Sequence, residues 1–293
     1  MTASNLNLDT VLSPPSFLAR AHDYTRRHPT VVIGLGVLVL MALIAICAPL
    51  IANDPMRLKP INRLKPPSEM YWFGTDFLGR EVFARTIYGS RVSMIVGGAV
   101  ALISVTIGLV IGLLAGYIRW VDAIVMRIMD GVMAIPGVLL AIALISLAGA
   151  SLTNVIIAIS IPEIPRVVRL VRSVVLTIRE QPYVEAAVSV GSPLHKILFK
   201  HILPNTVAPL IVQATYVCAS AVVIEAILSF LGAGTPPEIP SWGNIMAEGR
   251  IYFQVAPWIL FFPGTLLAIT VLAVNILGDG LRDSLDPRIA RRM

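Results

Sequence analysis

The chain has 293 residues, 56% of them hydrophobic and only 14% charged, with a formal net charge of +6. A soluble domain of this length needs far more polar surface, so that class is excluded. The positive balance does not point to nucleic acid, because the basic residues flank apolar runs, which is the pattern of membrane topology.

Residues 1–30 are polar, carry Arg20, Arg26 and Arg27, and include Pro14-Pro15. They read as a cytoplasmic N-terminal tail with a short interfacial helix around 16–27. The apolar run Val31 to Ala52 is too long for the core of a cleaved signal peptide, and no clean small-x-small site follows it. It predicts an uncleaved first span over 31–52, because about 20 apolar residues cross the hydrocarbon core. Residues 53–91 hold Pro55, Pro60, Pro66 and Pro67, which forbid a continuous helix and predict an external loop with a short helix near its end. The second span lies within Val92–Ile118, bracketed by Arg91 and Arg119. Gly108, Gly112 and Gly116 share one face of it, a spacing read here as close packing within the bundle rather than a dimerisation signal.

The uncharged run from Gly131 to Pro162 is too long for one span, and Gly149 to Asn154 reads as a turn within it. Span three is therefore predicted over 131–149 and span four over 154–174. Span four carries Pro162, Glu163, Pro165, Arg166 and Arg169 and is the least apolar. Span five is predicted over Asn205–Leu228, after Pro204, and span six over Val255–Leu277. The expected fold class is an all-α membrane protein of about six transmembrane helices. A five-helix core over 92–280 follows the first span, and a cytoplasmic tail occupies 281–293. The excess of Lys and Arg falls inside if both termini are cytoplasmic, although the basic residues of the 53–91 loop oppose this orientation. Cys47 and Cys218 lie in apolar runs and suggest neither a disulfide nor a metal site. No other His, Cys or carboxylate cluster suggests a metal centre.

The segment 179–204 between spans four and five is long and amphipathic for a plain connection. Gly191 is placed to end one helix through a left-handed cap. Ser192-Pro193 is placed to start the next, with Pro at its first position. That second helix, about 193–200, mixes Leu194, Ile197 and Leu198 with His195, Lys196 and Lys200. A helix–turn–helix of this kind either lies on the headgroups or docks a soluble partner, and residue chemistry alone leaves both open.

Glu185-Ala186-Ala187, then Gly191, then His201-Ile202-Leu203-Pro204 resembles the EAA loop of ABC importer permeases. The family pattern favours Ile-x-Leu-Pro, and the His-Ile-Leu-Pro-Asn variant is similar to the dipeptide/oligopeptide/nickel branch. Further stretches resemble the second, C-type permease of that branch. They are Trp72 to Glu81, Glu225 to Gly232, Pro240 to Gly243, and Asn275 to Arg288. The resemblance implies a type I ABC importer permease fold with a cytoplasmic coupling helix, multi-pass in the cell membrane. It implies as partners a second homologous permease, two ABC ATPases, an extracytoplasmic substrate-binding protein and membrane lipid. The implied cargo is dipeptides or oligopeptides, with nickel or another small solute as the alternative. The phosphate-cradling G-x-x-x-x-G-K-[ST] pattern is absent from the sequence. ATP and Mg are therefore expected on the partner ATPases, with no cofactor and no catalytic residue in this chain.

On this reading the ATPase-coupling residues are Glu185, Ala186, Ala187, Gly191, Pro193, Leu194, Ile197, Leu203 and Pro204. Asp76, Arg80, Glu163 and Glu225 are candidate pathway or gate residues. Each has a plainer reading as well. Asp76 and Arg80 would hold their own loop together, Glu163 would pair locally with Arg166 or Arg169, and Glu225 would make a structural hydrogen bond. Asp279, Arg282, Asp283, Asp286 and Arg288 would form a solvated or inter-subunit charge network. A secondary transporter would need ionisable residues in mid-span for ion coupling, and only Glu163 comes close. An intramembrane enzyme would need a nucleophile and base at depth, and the sequence offers none.

Overall fold

The computed structural model describes residues 25, 26 and 28–285. Most of the expected interfacial helix at 16–27, and the end of the C-terminal tail with Asp286 and Arg288, lie outside the described residues. The order is α1 (Pro29–Ile51), a loop with one 3-10 turn (Pro60–Asn62), α2 (Val82–Tyr117), α3 (Arg119–Met133), α4 (Gly137–Ala148) and α5 (Leu152–Arg179). Then come α6 (Pro182–Ser189), α7 (Leu194–Lys196), a π-helical stretch (Ile197–Ile202), α8 (Leu203–Phe230), α9 (Trp242–Gly249) and α10 (Trp258–Leu285). The only β pairing among the described residues is an isolated bridge between Thr75 and Glu81.

Four helices are long and apolar enough to cross a membrane: α1, α2, the continuous Leu194–Phe230 segment and α10. α3 and α4 qualify together as a fifth, bent by 87° at their junction. α5 has the length, at 28 residues, but carries Glu163, Arg166, Arg169, Arg172 and Arg179. It completes the six on length and falls outside the apolar set on composition.

Three boundaries differ from the sequence expectation. α2 starts at Val82, ten residues before Val92, because the charged turn containing Arg85 is neutralised inside the protein instead of facing water. Span three does not run unbroken over 131–149. The chain leaves α3 at Met133, turns through Ala134-Ile135-Pro136 and starts α4 at Gly137. At about 1.5 Å per residue α4 alone falls well short of a hydrocarbon core of about 30 Å, so α3 has to complete any crossing. The third difference is at Pro204, which does not begin a separate helix. Residues Leu194–Phe230 form one helix, and the π stretch just before Pro204 absorbs its missing N–H and the bulk of its ring.

α2 is the central column, packed against α1, α5, α8 and α10. Its contact with α5 uses the glycine face read from the sequence. A Cβ at Gly108, Gly112 or Gly116 would stand 2.6–2.7 Å from the Cβ of Val167, Val171 or Val175 respectively. Small residues facing β-branched ones bring the two backbones close, so the spacing serves packing within the chain. Arg179 at the end of α5 donates to the Gly116 carbonyl at 3.2 Å, satisfying an orphan acceptor at the C-terminus of α2. The turn predicted at 149–154 is present. Gly149 has φ +87, and Ser151 caps α5 by accepting from the Asn154 N–H at 3.1 Å. Cys47 and Cys218 are both free thiols.

Candidate functional site

The segment after α5 leaves the bundle at the end where α2 finishes, opposite the 53–81 loop. α6 ends in a Schellman arrangement: the Gly191 N–H donates to Val188 O at 2.9 Å and the Ser192 N–H to Ala187 O at 3.1 Å. Gly191 has φ +77 with nothing near its Cβ position, so backbone conformation and not space requires glycine there. Pro193 is the N-cap of the next helix, one place earlier than expected, with its carbonyl accepting from Lys196 N at 3.0 Å.

Apolar residues anchor this elbow. Val184, Ile197, Leu198 and Ile202 are buried against the bundle. The opposite face is open: Glu185, Ala186, Gly191, Pro193, Leu194 and Pro204 are exposed, while Ala187 and Leu203 are half-buried. Of the nine residues expected to couple, Ile197 is thus a buried anchor. The sequence reading passed over Val190, 82% exposed at the turn, and Phe199, 66% exposed. Large apolar side chains among His and Lys on a projecting loop were the available signal. Burying them requires another surface.

The opposite end holds a charged knot. Asp76 and Arg85 are fully buried and Arg80 nearly so. Asp76 Oδ1 accepts from the Leu78 N–H at 2.8 Å and the Arg80 N–H at 2.9 Å. Its Oδ2 accepts from Arg80 Nε at 2.6 Å and Arg85 Nη1 at 3.0 Å. Glu248 of α9 completes the set, taking Arg85 Nη1 at 2.5 Å and Nη2 at 3.2 Å, and pairing also with Arg80. Two positive and two negative groups balance, the condition under which charges tolerate burial. Phe73 stacks on Phe262 of α10 with centroids 3.9 Å apart, so the loop is pinned apolarly as well. Trp242 opens α9 from a fully buried position, its indole N–H donating to Thr86 O at 2.9 Å. Neither Arg85 nor Glu248 was singled out from the sequence. Their partner Asp76 lies 9 and 172 positions away, and only the fold brings all three together.

Glu225 lies beneath α9, fully buried, accepting from Ser229 Oγ at 2.8 Å through Oε1. Its Oε2 is buried without a partner. Glu163 in α5 is buried, accepting from Arg166 Nη1 at 3.0 and 3.2 Å and from Ser220 Oγ of α8 at 3.2 Å. Arg169 turns instead to Asp130 at 2.6 Å, and Arg172 forks onto Asp122, so two ion pairs hold α3 against α5. Asp279, Arg282 and Asp283 are exposed at the end of α10 and make no ion pair with one another. The structure therefore does not gather the candidate residues into one site. It sets an exposed elbow at one end, a sealed knot at the other and the Glu163–Arg166 pair of α5 between them.

Residues 104–291 match the family described as binding-protein-dependent transport system inner membrane component. Residues 16–67 match the N-terminal TM domain of oligopeptide transport permease C. A probable peptide ABC transporter permease of Sinorhizobium fredii is 57% identical over 91% of this chain and 92% of its own length. The dipeptide transport system permease DppC of Alkalihalophilus pseudofirmus is 42% identical over 92% of this chain and 89% of its own. The oligopeptide transport system permease OppC of Bacillus subtilis is 38% identical over 91% and 88% respectively. Among solved structures, inward-facing MetNI methionine ABC transporter matches with a TM-score of 0.55 at 21% identity, covering 69% of this chain and 96% of that one. At that identity the likeness concerns the fold alone.

Proposed function

The chain belongs to the family of binding-protein-dependent transport system inner membrane components, and on that footing we propose that it forms part of the channel of an ATP-driven peptide importer. Its fold is the type I ABC importer permease fold, all-helical and multi-pass. Peptide cargo is supported by the names of its relatives, which include peptide, dipeptide and oligopeptide permeases. The proposed assembly holds this chain, a second homologous permease, two ATPases that bind ATP and Mg, and an extracytoplasmic binding protein. Both termini face the cytoplasm, and the chain itself performs no catalysis.

The observation that carries the proposal is the elbow. Its exposed apolar turn stands at one end of a 37-residue helix, Leu194–Phe230, whose other end packs against α9. A displacement of the elbow by an ATPase therefore passes into the membrane without crossing a loop. Two arrangements of such a rigid element, biased by nucleotide on the partner, would open the channel to alternate sides. Glu185, Ala186, Gly191, Pro193 and Leu194 would face the ATPase, while Ile197 would fasten the elbow to the bundle.

Reconstitution of the complete complex in proteoliposomes tests this reading. Uptake of a labelled dipeptide should require ATP and the binding protein, and both ATPases should co-purify with the tagged permease. Uptake driven by a proton or sodium gradient without ATP would overturn it.

A further inference from the structure

Arg166 stands at the middle of α5, where a guanidinium is costly unless it faces water or an anion. Its Nη1 is committed to Glu163, at 3.0 and 3.2 Å, while Nε and Nη2 donate to no described protein group. In Arg169 and Arg172 the Nη2 side is taken by Asp130 and Asp122. In Arg166 it is the side left open, and the side chain is 44% exposed. The Nε–Nη2 edge is one that meets a carboxylate side-on with two parallel hydrogen bonds.

Glu163 holds that edge in place. Its carboxylate is 1% exposed and is fixed from a second helix by Ser220 Oγ at 3.2 Å. Both members of the pair line a cavity of about 240 Å³ that Met133, Pro136, Val138 and Ile224 wall in from the α3–α4 bend and α8. Pockets for drug-sized ligands run from about 300 to 1,000 Å³, so this cavity suits one end of a peptide and not a whole one.

Resting on the peptide reading above, the geometry points to Arg166 as a subsite for the α-carboxylate of the transported peptide, with Glu163 and Ser220 as positioning residues. At rest the pair is neutral and tolerable at depth. An arriving carboxylate takes the open edge without breaking the Glu163 contact, and the bound assembly carries the one negative charge that the peptide's own ammonium balances.

The test uses the full reconstituted complex with its binding protein saturated by either alanyl-alanine or the C-terminal amide of that dipeptide, so that differences arise in the membrane part. Wild type should move the free acid about tenfold faster, the size expected of a bidentate charged hydrogen bond. Replacing the pair by neutral isosteres, E163Q/R166Q, should bring that ratio near one, because uptake of the free acid falls far more than uptake of the amide. R166K, which keeps the charge and loses the fork, should give an intermediate ratio and serves if the double variant fails to assemble. A wild-type ratio retained in either assembled variant overturns the assignment, as does a wild type indifferent to the carboxylate. So does an equal fall for both peptides, the mark of a purely structural pair, or an equal fall with loss of the second permease, the mark of an inter-subunit ion pair. A wild-type complex that moves neither peptide overturns the peptide reading itself.

Discussion

Replacing Arg85 by Met should loosen the whole end of the protein that holds the 53–81 loop. Arg85 bridges Asp76 of the loop to Glu248 of α9 and is fully buried. Its loss leaves Glu248 with only Arg80 and removes one of four donors from Asp76. Removing one member of a buried ionic set costs about 3–5 kcal/mol, because the remaining charges stay buried without compensation. For a chain of this size that corresponds to a fall in unfolding temperature on the order of 10 °C. The loop should also become a protease site before the helices melt. R85K should be nearly as damaging, because an ammonium cannot present the fork that meets Glu248 at two oxygens. An unchanged melting temperature and an uncut loop in R85M would mean that the knot contributes nothing to holding the 53–81 loop.

The second large effect is expected at Gly191. Its φ of +77 lies in the left-handed region, and a Cβ there would meet no neighbour, so side-chain bulk alone is not the obstacle. A β-branched residue in that conformation costs about 1–2 kcal/mol. If the elbow passes force to the membrane, that strain shifts the docking turn and should lower ATP-driven uptake roughly 5–30-fold in G191V, the ratio to which that energy corresponds. Co-purification of the ATPases should be retained. G191N supplies the control, because Asn tolerates the left-handed region and ends helices in this way. Uptake should rank wild type, then Asn, then Val. Equal uptake in the Asn and Val variants would separate transport from the elbow's backbone geometry.

Much of the bundle was legible because burying an apolar run in lipid leaves the chain few choices. Four long spanning helices follow from uncharged runs, and the Gly108, Gly112, Gly116 face follows from spacing alone. The left-handed cap at Gly191 was readable because glycine beside Ser-Pro has few other uses. The bend between α3 and α4 was hidden because residues 131–148 are uncharged throughout, and only Pro136-Gly137 marked the break. The early start of α2 was hidden for the opposite reason. Arg85 looks like loop sequence until Glu248, 163 positions later, removes its charge from consideration. The Glu163–Arg166 pair was readable from its spacing of three. Ser220 was not, because only the packing of α5 on α8 brings it near.

The elbow at 190 can be probed directly with a single thiol. In a background with Cys47 and Cys218 replaced by Ala, Val190→Cys places that thiol on the exposed turn, and Trp72→Cys places one on the exposed loop at the other end. A short thiol-to-amine cross-linker applied to the assembled complex should join position 190 to an ATPase subunit and position 72 to none. Cross-linking of an ATPase from position 72, with none from position 190, would contradict the assignment of the elbow as the place where force enters this chain.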